Sequence, residues 1–204
     1  MKFLVTGATG FIGKALVTEL LENSSEVVIV VREKSNLFRG QVKQFVVGDF
    51  GNNPDFSASL LGVDCVIHLA AKAHVIDKAE ISVLDEYREI NRILTLNLAK
   101  QSALAGVRRF IFLSSIRVNG NENSRPFLES DAANPQEPYA VSKYEAEQGL
   151  MNLSGSFKLG IVIIRPPLVY GPGAPGNFGR LLGWLEQDLW CPYHSVLLIM
   201  LDLC

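Results

Sequence analysis

The order of apolar strands and amphipathic helices along this chain predicts a doubly wound α/β fold, a parallel sheet with helices on both faces. Three observations carry that expectation. The chain opens on a short apolar run, Lys2-Phe3-Leu4-Val5-Thr6, that passes through a glycine turn directly into a helical pattern. Later runs such as Val27 to Val31 are continuously apolar, as strands buried on both faces are. Helical patterns separate the runs, and parallel neighbours require such right-handed crossovers.

Taken in order, residues 11–23 place Ile12, Leu16 and Leu20 four apart, with Phe11 and Ala15 alongside, and stop at Asn23-Ser24-Ser25. Strands are expected at 26–31, 44–47, 64–69, 109–113 and 160–164. Long helices are expected at about 80–105, stopped by Gly106, and at about 137–152. The polar stretch from Asn119 to Pro138, with three prolines, reads as a long functional loop. No internal repeat or low-complexity tract interrupts the pattern.

Composition narrows the function classes. Among 204 residues, 19 Lys and Arg face 21 Asp and Glu, so no basic surplus exists to hold a nucleic-acid backbone or an anionic membrane. No apolar run approaches the ~18 to 20 residues of a spanning helix, and the opening lacks the apolar block and cleavage site of a secretory signal; a cytoplasmic location is the expectation. Cys65, Cys191 and Cys204 are scattered, without a C-x-x-C pair, so neither a disulfide framework nor a metal cage is expected, and Cys65 belongs to the core.

The glycine turn carries the first chemistry. Gly7, Gly10 and Gly13 stand at G-x-x-G-x-x-G spacing between a strand and a helix. Gly7 permits the bend, Gly10 lets main-chain N–H groups approach a pyrophosphate, and Gly13 lets the helix lie close to the sheet. The helix N-terminus adds open N–H donors and a positive dipole end. This stretch, VTGATGFIG, resembles the start of the extended short-chain dehydrogenase/reductase family, which comprises nucleotide-sugar epimerases, reductases and dehydratases. The resemblance implies an NAD(P)-binding Rossmann fold in which Gly7, Gly10, Phe11, Ile12 and Gly13 cradle the cofactor diphosphate.

Further positions fit that reading. Arg32-Glu33 ends the second strand where such folds meet the adenosine ribose; the arginine would suit a 2′-phosphate or stack on adenine, the glutamate would suit free hydroxyls, and NAD and NADP both stay open. Asp49 and Phe50 resemble the family's adenine-contacting pair. His68-Leu69-Ala70-Ala71 matches the family's fourth-strand end, where Leu69, Ala70 and Ala71 let the backbone pass close to the cofactor; His68 itself is expected to be packed and hydrogen-bonded. Asn91 matches a family asparagine that ties a long helix to neighbouring backbone.

Tyr139 and Lys143 stand at i and i+4, one turn apart on one helix face. A tyrosine is a poor base near neutrality, and a nearby lysine and an oxidised nicotinamide would favour its phenolate. Ser114-Ser115 ends the fifth strand, and alignment of FLSSIRVNG with the family pattern makes Ser115 the catalytic hydroxyl. The resemblance implies that Tyr139 moves a sugar hydroxyl proton, Lys143 holds the cofactor ribose and Ser115 steadies the reacting oxygen. It places Pro167 on the nicotinamide side, and Asn177 and Arg180 near the nucleotide diphosphate of the substrate. The expected activity is NAD(P)-dependent 4-epimerisation of a UDP-hexose or UDP-N-acetylhexosamine. Reduction of a UDP-4-keto sugar, or cofactor binding without catalysis, are the alternatives. Dehydration is disfavoured because Ser115-Ile116-Arg117 stands where dehydratases carry Thr-Asp-Glu. Family members also pair through the two long helices, so a homodimer is the expected assembly.

The resemblance covers about residues 1–190, a dinucleotide-binding domain with the start of a substrate segment. Residues 191–204 form an atypical tail with the apolar run Val196 to Leu201. The expectation is a chain whose C-terminal substrate segment is largely missing, with a native apolar tail as the other reading.

Overall fold

A computed structural model describes residues 1–73, 80–171 and 173–174. The chain divides into two compact units, residues 1–167 and 168–204. The expected boundary at 190/191 lies outside the described residues.

The first unit is built on one six-stranded sheet in the order β3-β2-β1-β4-β5-β6. Its strands are β1 (Lys2–Thr6), β2 (Glu26–Val31), β3 (Lys43–Val46), β4 (Cys65–His68), β5 (Arg109–Leu113) and β6 (Gly160–Ile164). All five pairings are parallel. Strand order reverses beside β1, which puts a crevice at the carboxyl ends of β1 and β4, where open α/β sheets bind ligands. The helices are α1 (Phe11–Glu22), α2 (Glu80–Arg88), α3 (Leu94–Leu104) and α4 (Pro138–Ser156). Pro138 sits at the first helical position of α4, where its missing N–H costs nothing.

Alternation along the central strands divides the core. Leu4, Val28, Val30, Val66, Phe110 and Phe112 point to the face covered by α3 and α4, where they meet Leu94, Leu98, Ala146 and Leu150. Val5, Val27, Ile29, Val31, Cys65 and Ile67 point to the other face and pack with Val17 of α1. Both sets are buried, which is why β2 is apolar at every position from Val27 to Val31. Each fully buried aliphatic or aromatic side chain contributes roughly 1.5–3 kcal/mol. The outer strands differ. On β6, Ile161 and Ile163 pack on the α3–α4 side, whereas Val162 and Ile164 are 39% and 44% exposed.

The helix expected over 80–105 is interrupted. Between α2 and α3, Glu89–Ile93 winds as a π-helical turn. Such a turn carries wider main-chain bonds, and it often marks a functional position. Here it contains Asn91, which is fully buried.

Candidate active site

Three close approaches shape the glycine turn. Gly7 has φ +70°, and a Cβ on it would lie 2.7 Å from the Ala70 nitrogen. A Cβ on Gly13 would lie 2.1 Å from the Gly7 oxygen and 2.7 Å from Ala8 Cα, so the third glycine lets α1 close on the turn itself as well as on the sheet. Gly10 is different in kind. A Cβ there meets only the Gly7 oxygen, at 3.2 Å, and otherwise faces open space. Gly10 caps α1 without any side-chain hydrogen bond, which leaves first-turn N–H groups available to a ligand.

That turn forms one wall of a cleft of about 400 Å³. Gly7, Gly10, Arg32, Asp49, Phe50, Leu69, Ala70 and Ala71 all line it, so residues from the ends of β1, β2, β3 and β4 converge on one cleft. Phe11, Ile12 and Gly13, in the first turn of α1, do not line it. Thr9, Val30, Val31, Lys72 and Ile90 also line the cleft and were not foreseen. Val30 and Val31, at the end of a buried strand, look like core in sequence, so only the topology reveals them. A second, more polar cleft adjoins it, lined by Arg32, Glu33, Lys34, Ser35 and Asn36, and shares Thr9, Val31, Arg32 and Asp49 with the first. Asp49 accepts a hydrogen bond from the Gly51 N–H at 3.1 Å, which fixes the turn after β3.

His68 closes β4 in register with Thr6. Its ring is fully buried, with Nδ1 2.6 Å from Thr6 Oγ1 and Nε2 2.9 Å from Thr95 Oγ1. The Thr95 hydroxyl donates to the Asn91 carbonyl at 2.7 Å, so it can only accept from His68. The network therefore assigns the proton to Nε2, and Thr6 donates to Nδ1. Burial, with Lys143 adding to it, lowers the imidazole to about 3. His68 is a neutral structural bridge between β1, β4 and the first turn of α3.

Asn91 ties that turn to its neighbours. Its Oδ1 accepts from the Lys72 N–H at 2.9 Å, and its Nδ2 donates to the Lys72 carbonyl and to Ser142 Oγ, both at 3.0 Å. Ser142 in turn donates to the Tyr139 carbonyl. Asn91 thus links the cleft wall after β4 to the first turns of α4.

Ser115 follows β5 and caps a short 3-10 turn, Ile116–Val118, by accepting from the Arg117 N–H at 3.3 Å. That turn packs against α4, the helix of Tyr139 and Lys143. The Tyr139 ring meets Tyr87 edge to face, with centroids 5.8 Å apart. Burial pushes the Tyr139 phenol above its ordinary value, while Arg117 pulls it down. The expected lowering by Lys143 does not arise in the protein by itself. Lys143 is only 1% exposed, with its ammonium 4.1 Å from the centre of the Phe112 ring, and burial lowers it to about 7. A cavity of about 720 Å³ opens beside these elements, lined by Ile116, Arg117, Asn121, Phe127, Glu137 and Pro167 among others. Arg117 and Glu137 form an ion pair across its mouth. Ser115 and Tyr139 do not line it themselves; their sequence neighbours Ile116 and Pro138's predecessor Glu137 do. Asn177 and Arg180 lie outside the described residues.

A glycine cradle at a helix N-terminus, opening on the switch point of a 3-2-1-4-5-6 sheet, defines a dinucleotide-binding α/β protein. The chain belongs to the NAD dependent epimerase/dehydratase family, whose model matches residues 3–184. It is 42% identical over 196 residues to a UDP-glucose 4-epimerase of Vibrio cholerae, a match covering 95% of this chain and 59% of that protein. Among solved structures it resembles a UDP-glucuronic acid 4-epimerase from Bacillus cereus in complex with NAD, at TM-score 0.79 and 30% identity, covering 93% of this chain and 64% of the other. It also resembles MoeE5 in complex with UDP-glucose and NAD, at TM-score 0.75 and 33% identity, covering 86% and 57%. The chain spans about three fifths of the length of these relatives.

Proposed function

We propose that the chain carries the cofactor half and the proton-handling residues of an NAD-dependent nucleotide-sugar 4-epimerase. The observation that carries this reading is the convergence of the glycine cradle with Arg32, Asp49, Phe50 and Leu69 to Ala71 on one cleft at the carboxyl edge of the sheet. The residues present fit a dinucleotide, since Gly10 leaves open the space that a side chain would fill and α1 presents uncapped N–H groups. The 42% identity to a UDP-glucose 4-epimerase and the NAD-bound structural relatives support the same choice.

When bound, NAD supplies reversible hydride exchange at a sugar carbon. The chain's own residues manage the proton. Tyr139 Oη takes the proton of the sugar 4-hydroxyl and returns it. Ser115 Oγ donates to the 4-oxygen and keeps it within reach of the phenol. Lys143, one helical turn from Tyr139 on the same helix face, supplies a donor for the cofactor ribose, and its charge favours the phenolate together with that of the oxidised nicotinamide once NAD is bound. Arg117 adds a second positive charge at the mouth of the neighbouring cavity. A cation at this position favours proton removal by Tyr139 over the carboxylate-assisted elimination of a dehydratase.

The test is to incubate the chain with UDP-glucose and, separately, UDP-N-acetylglucosamine and to follow the products by nuclear magnetic resonance. Conversion to the galacto epimers without net NADH formation supports the reading, with Tyr139→Phe slowing it by ~100-fold or more. Stoichiometric consumption of NADH with a 4-keto sugar and no epimer would replace it with the reductase.

A further inference from the structure

The dinucleotide cleft does not end at the tip of β2. An outer cleft of about 770 Å³ continues from it, lined by residues 32–36 together with Thr9, Val31 and Asp49 among others. Thr9, Val31, Arg32 and Asp49 line both spaces. Arg32 and Lys34 are exposed, and among the described residues neither is held in an ion pair or a hydrogen bond. Ser35 Oγ accepts from the Leu37 N–H at 3.3 Å, which leaves its own proton for a ligand.

The segment around this cleft is anchored. Ser35 N–H donates to Gln44 Oε1 at 3.1 Å and the Ser35 carbonyl accepts from Gln44 Nε2 at 2.7 Å, so one β3 side chain holds the residue from both sides. Phe38, 6% exposed, packs into the core with Val27, Ile29 and Val31. Pinned at Val31, Ser35 and Phe38, residues 32–36 already surround the cleft, and little ordering entropy is lost when a ligand enters.

The carboxylates are placed differently. A site selective for NAD aims an acid from this strand end at the ribose hydroxyls. The last residue of β2 is the buried Val31, and the position after it is Arg32. Glu33 lines the outer cleft but not the dinucleotide cleft. Asp49 lines both, and its carboxylate accepts from the Gly51 N–H.

We propose that the outer cleft is a 2′-phosphate site and that the chain binds NADP more tightly than NAD, with Arg32 as the main specificity-determining residue and Lys34, Thr9 and Ser35 as further donors. The inference rests on reading the glycine-lined cleft as the dinucleotide site. It leaves the proton chemistry as it stands, because the 2′-phosphate belongs to the adenosine end of the cofactor. A phosphate monoester carries about −1.5 to −2 charge at neutral pH, with three acceptor oxygens that the guanidinium fork matches. NAD would leave the same donors in water. Glu33 and Asp49 oppose the added charge, but Asp49 is committed to the Gly51 N–H and the exposed Glu33 can turn to solvent.

The test is calorimetric titration of the whole chain with NADP and, separately, with NAD. The parent is expected to bind NADP about tenfold or more tightly than NAD. Arg32→Gln is expected to bring the ratio of the two affinities to within about threefold of unity. An arginine that only stacks on adenine would weaken both cofactors alike and leave the ratio standing; that result overturns the proposal, as does a parent that holds NAD as tightly as NADP. Glu33→Gln is expected to tighten NADP. A loss confined to NAD in that variant would assign Glu33 to the ribose hydroxyls and would also overturn it. Circular dichroism checks the fold of each variant. Should Arg32→Gln fail to fold, Lys34→Gln is expected to cut the ratio by about threefold, and an unchanged ratio there counts as refutation. Binding of neither dinucleotide removes the dinucleotide reading itself, whereas binding of NAD with no gain from the 2′-phosphate removes this inference alone, so the two failures are distinguishable.

Discussion

His68 carries no charge at neutral pH because its ring is sealed between Thr6 and Thr95, and both hydroxyls have their protons committed by the tautomer the network fixes. Its folded value near 3 lies below the unfolded value of about 6.5, so the unfolded chain takes up the proton first. The stabilisation is complete above about 6.5 and is lost as pH falls toward 3. Urea unfolding at pH 7, 5.5 and 4 is expected to show this loss, and His68→Asn is expected to flatten the slope while lowering stability at pH 7. Tyr139 supplies a second prediction. Burial raises its phenol and Arg117 opposes that rise, so the rate constant kcat/KM for epimerisation is expected to climb with pH above 7. Arg117→Gln removes the opposing charge, and its pH profile is expected to shift to higher pH; a profile unchanged by the substitution would remove Arg117 from the account. At this scale the sequence was legible where backbone conformation forces a residue type, as at Gly7, or where helical spacing puts two groups on one face, as at Tyr139 and Lys143. It was not legible for Glu147 and Arg165. The four-residue step from Lys143 to Glu147 is visible in the chain, but only tertiary packing shows that the carboxylate is buried and which arginine meets it.

The element that departs most from its sequence pattern is the helix around residue 91. Heptad-like apolar spacing runs through 80–105 without a glycine or proline, so a single helix was the natural expectation. What breaks it is the asparagine's demand for partners. Asn91 bonds the Lys72 backbone on both sides and reaches Ser142, and the π-helical turn aims it there while Thr95 binds the Asn91 carbonyl from within the helix. Replacing Asn91 by Ala removes three hydrogen bonds and leaves half-buried Lys72 backbone groups without their side-chain partner, an expected cost of about 1–3 kcal/mol in urea unfolding. Because Lys72 also lines the cleft, the same variant is expected to weaken NAD binding. A variant as stable as the parent would mean that the turn owes nothing to this side chain. Strand positions, by contrast, were legible to within a residue. The runs at 2–6, 26–31, 109–113 and 160–164 match β1, β2, β5 and β6; pairing on both sides and burial on both faces demand apolar residues of β2, whereas the edge strand β6 is legible from its unbroken apolar run although it pairs on one side only.

On the scale of the molecule, strand order and handedness follow from a few rules: parallel strands need crossovers, crossovers are right-handed, and the sheet grows outward from β1 in both directions. The glycine turn and the strand-end residues point to a site at the carboxyl edge of the sheet, and the strand order puts the switch point beside β1, over that turn. They could not show which apolar residues would line it, nor that Val162 and Ile164 of β6 would stay accessible while the continuous run Ile161 to Ile164 suggested burial on both faces. The central claim is that the bare turn at the head of α1 grips a diphosphate. Calorimetric titration of the whole chain with NAD, beside Gly10→Leu, tests it most directly. Gly10 faces open space apart from the Gly7 oxygen, so leucine is expected to obstruct the cleft and leave the fold intact by circular dichroism. The account predicts one NAD bound per chain and at least a hundredfold weaker binding to the folded variant; equal affinity in the two proteins, or no binding to the parent, would contradict it.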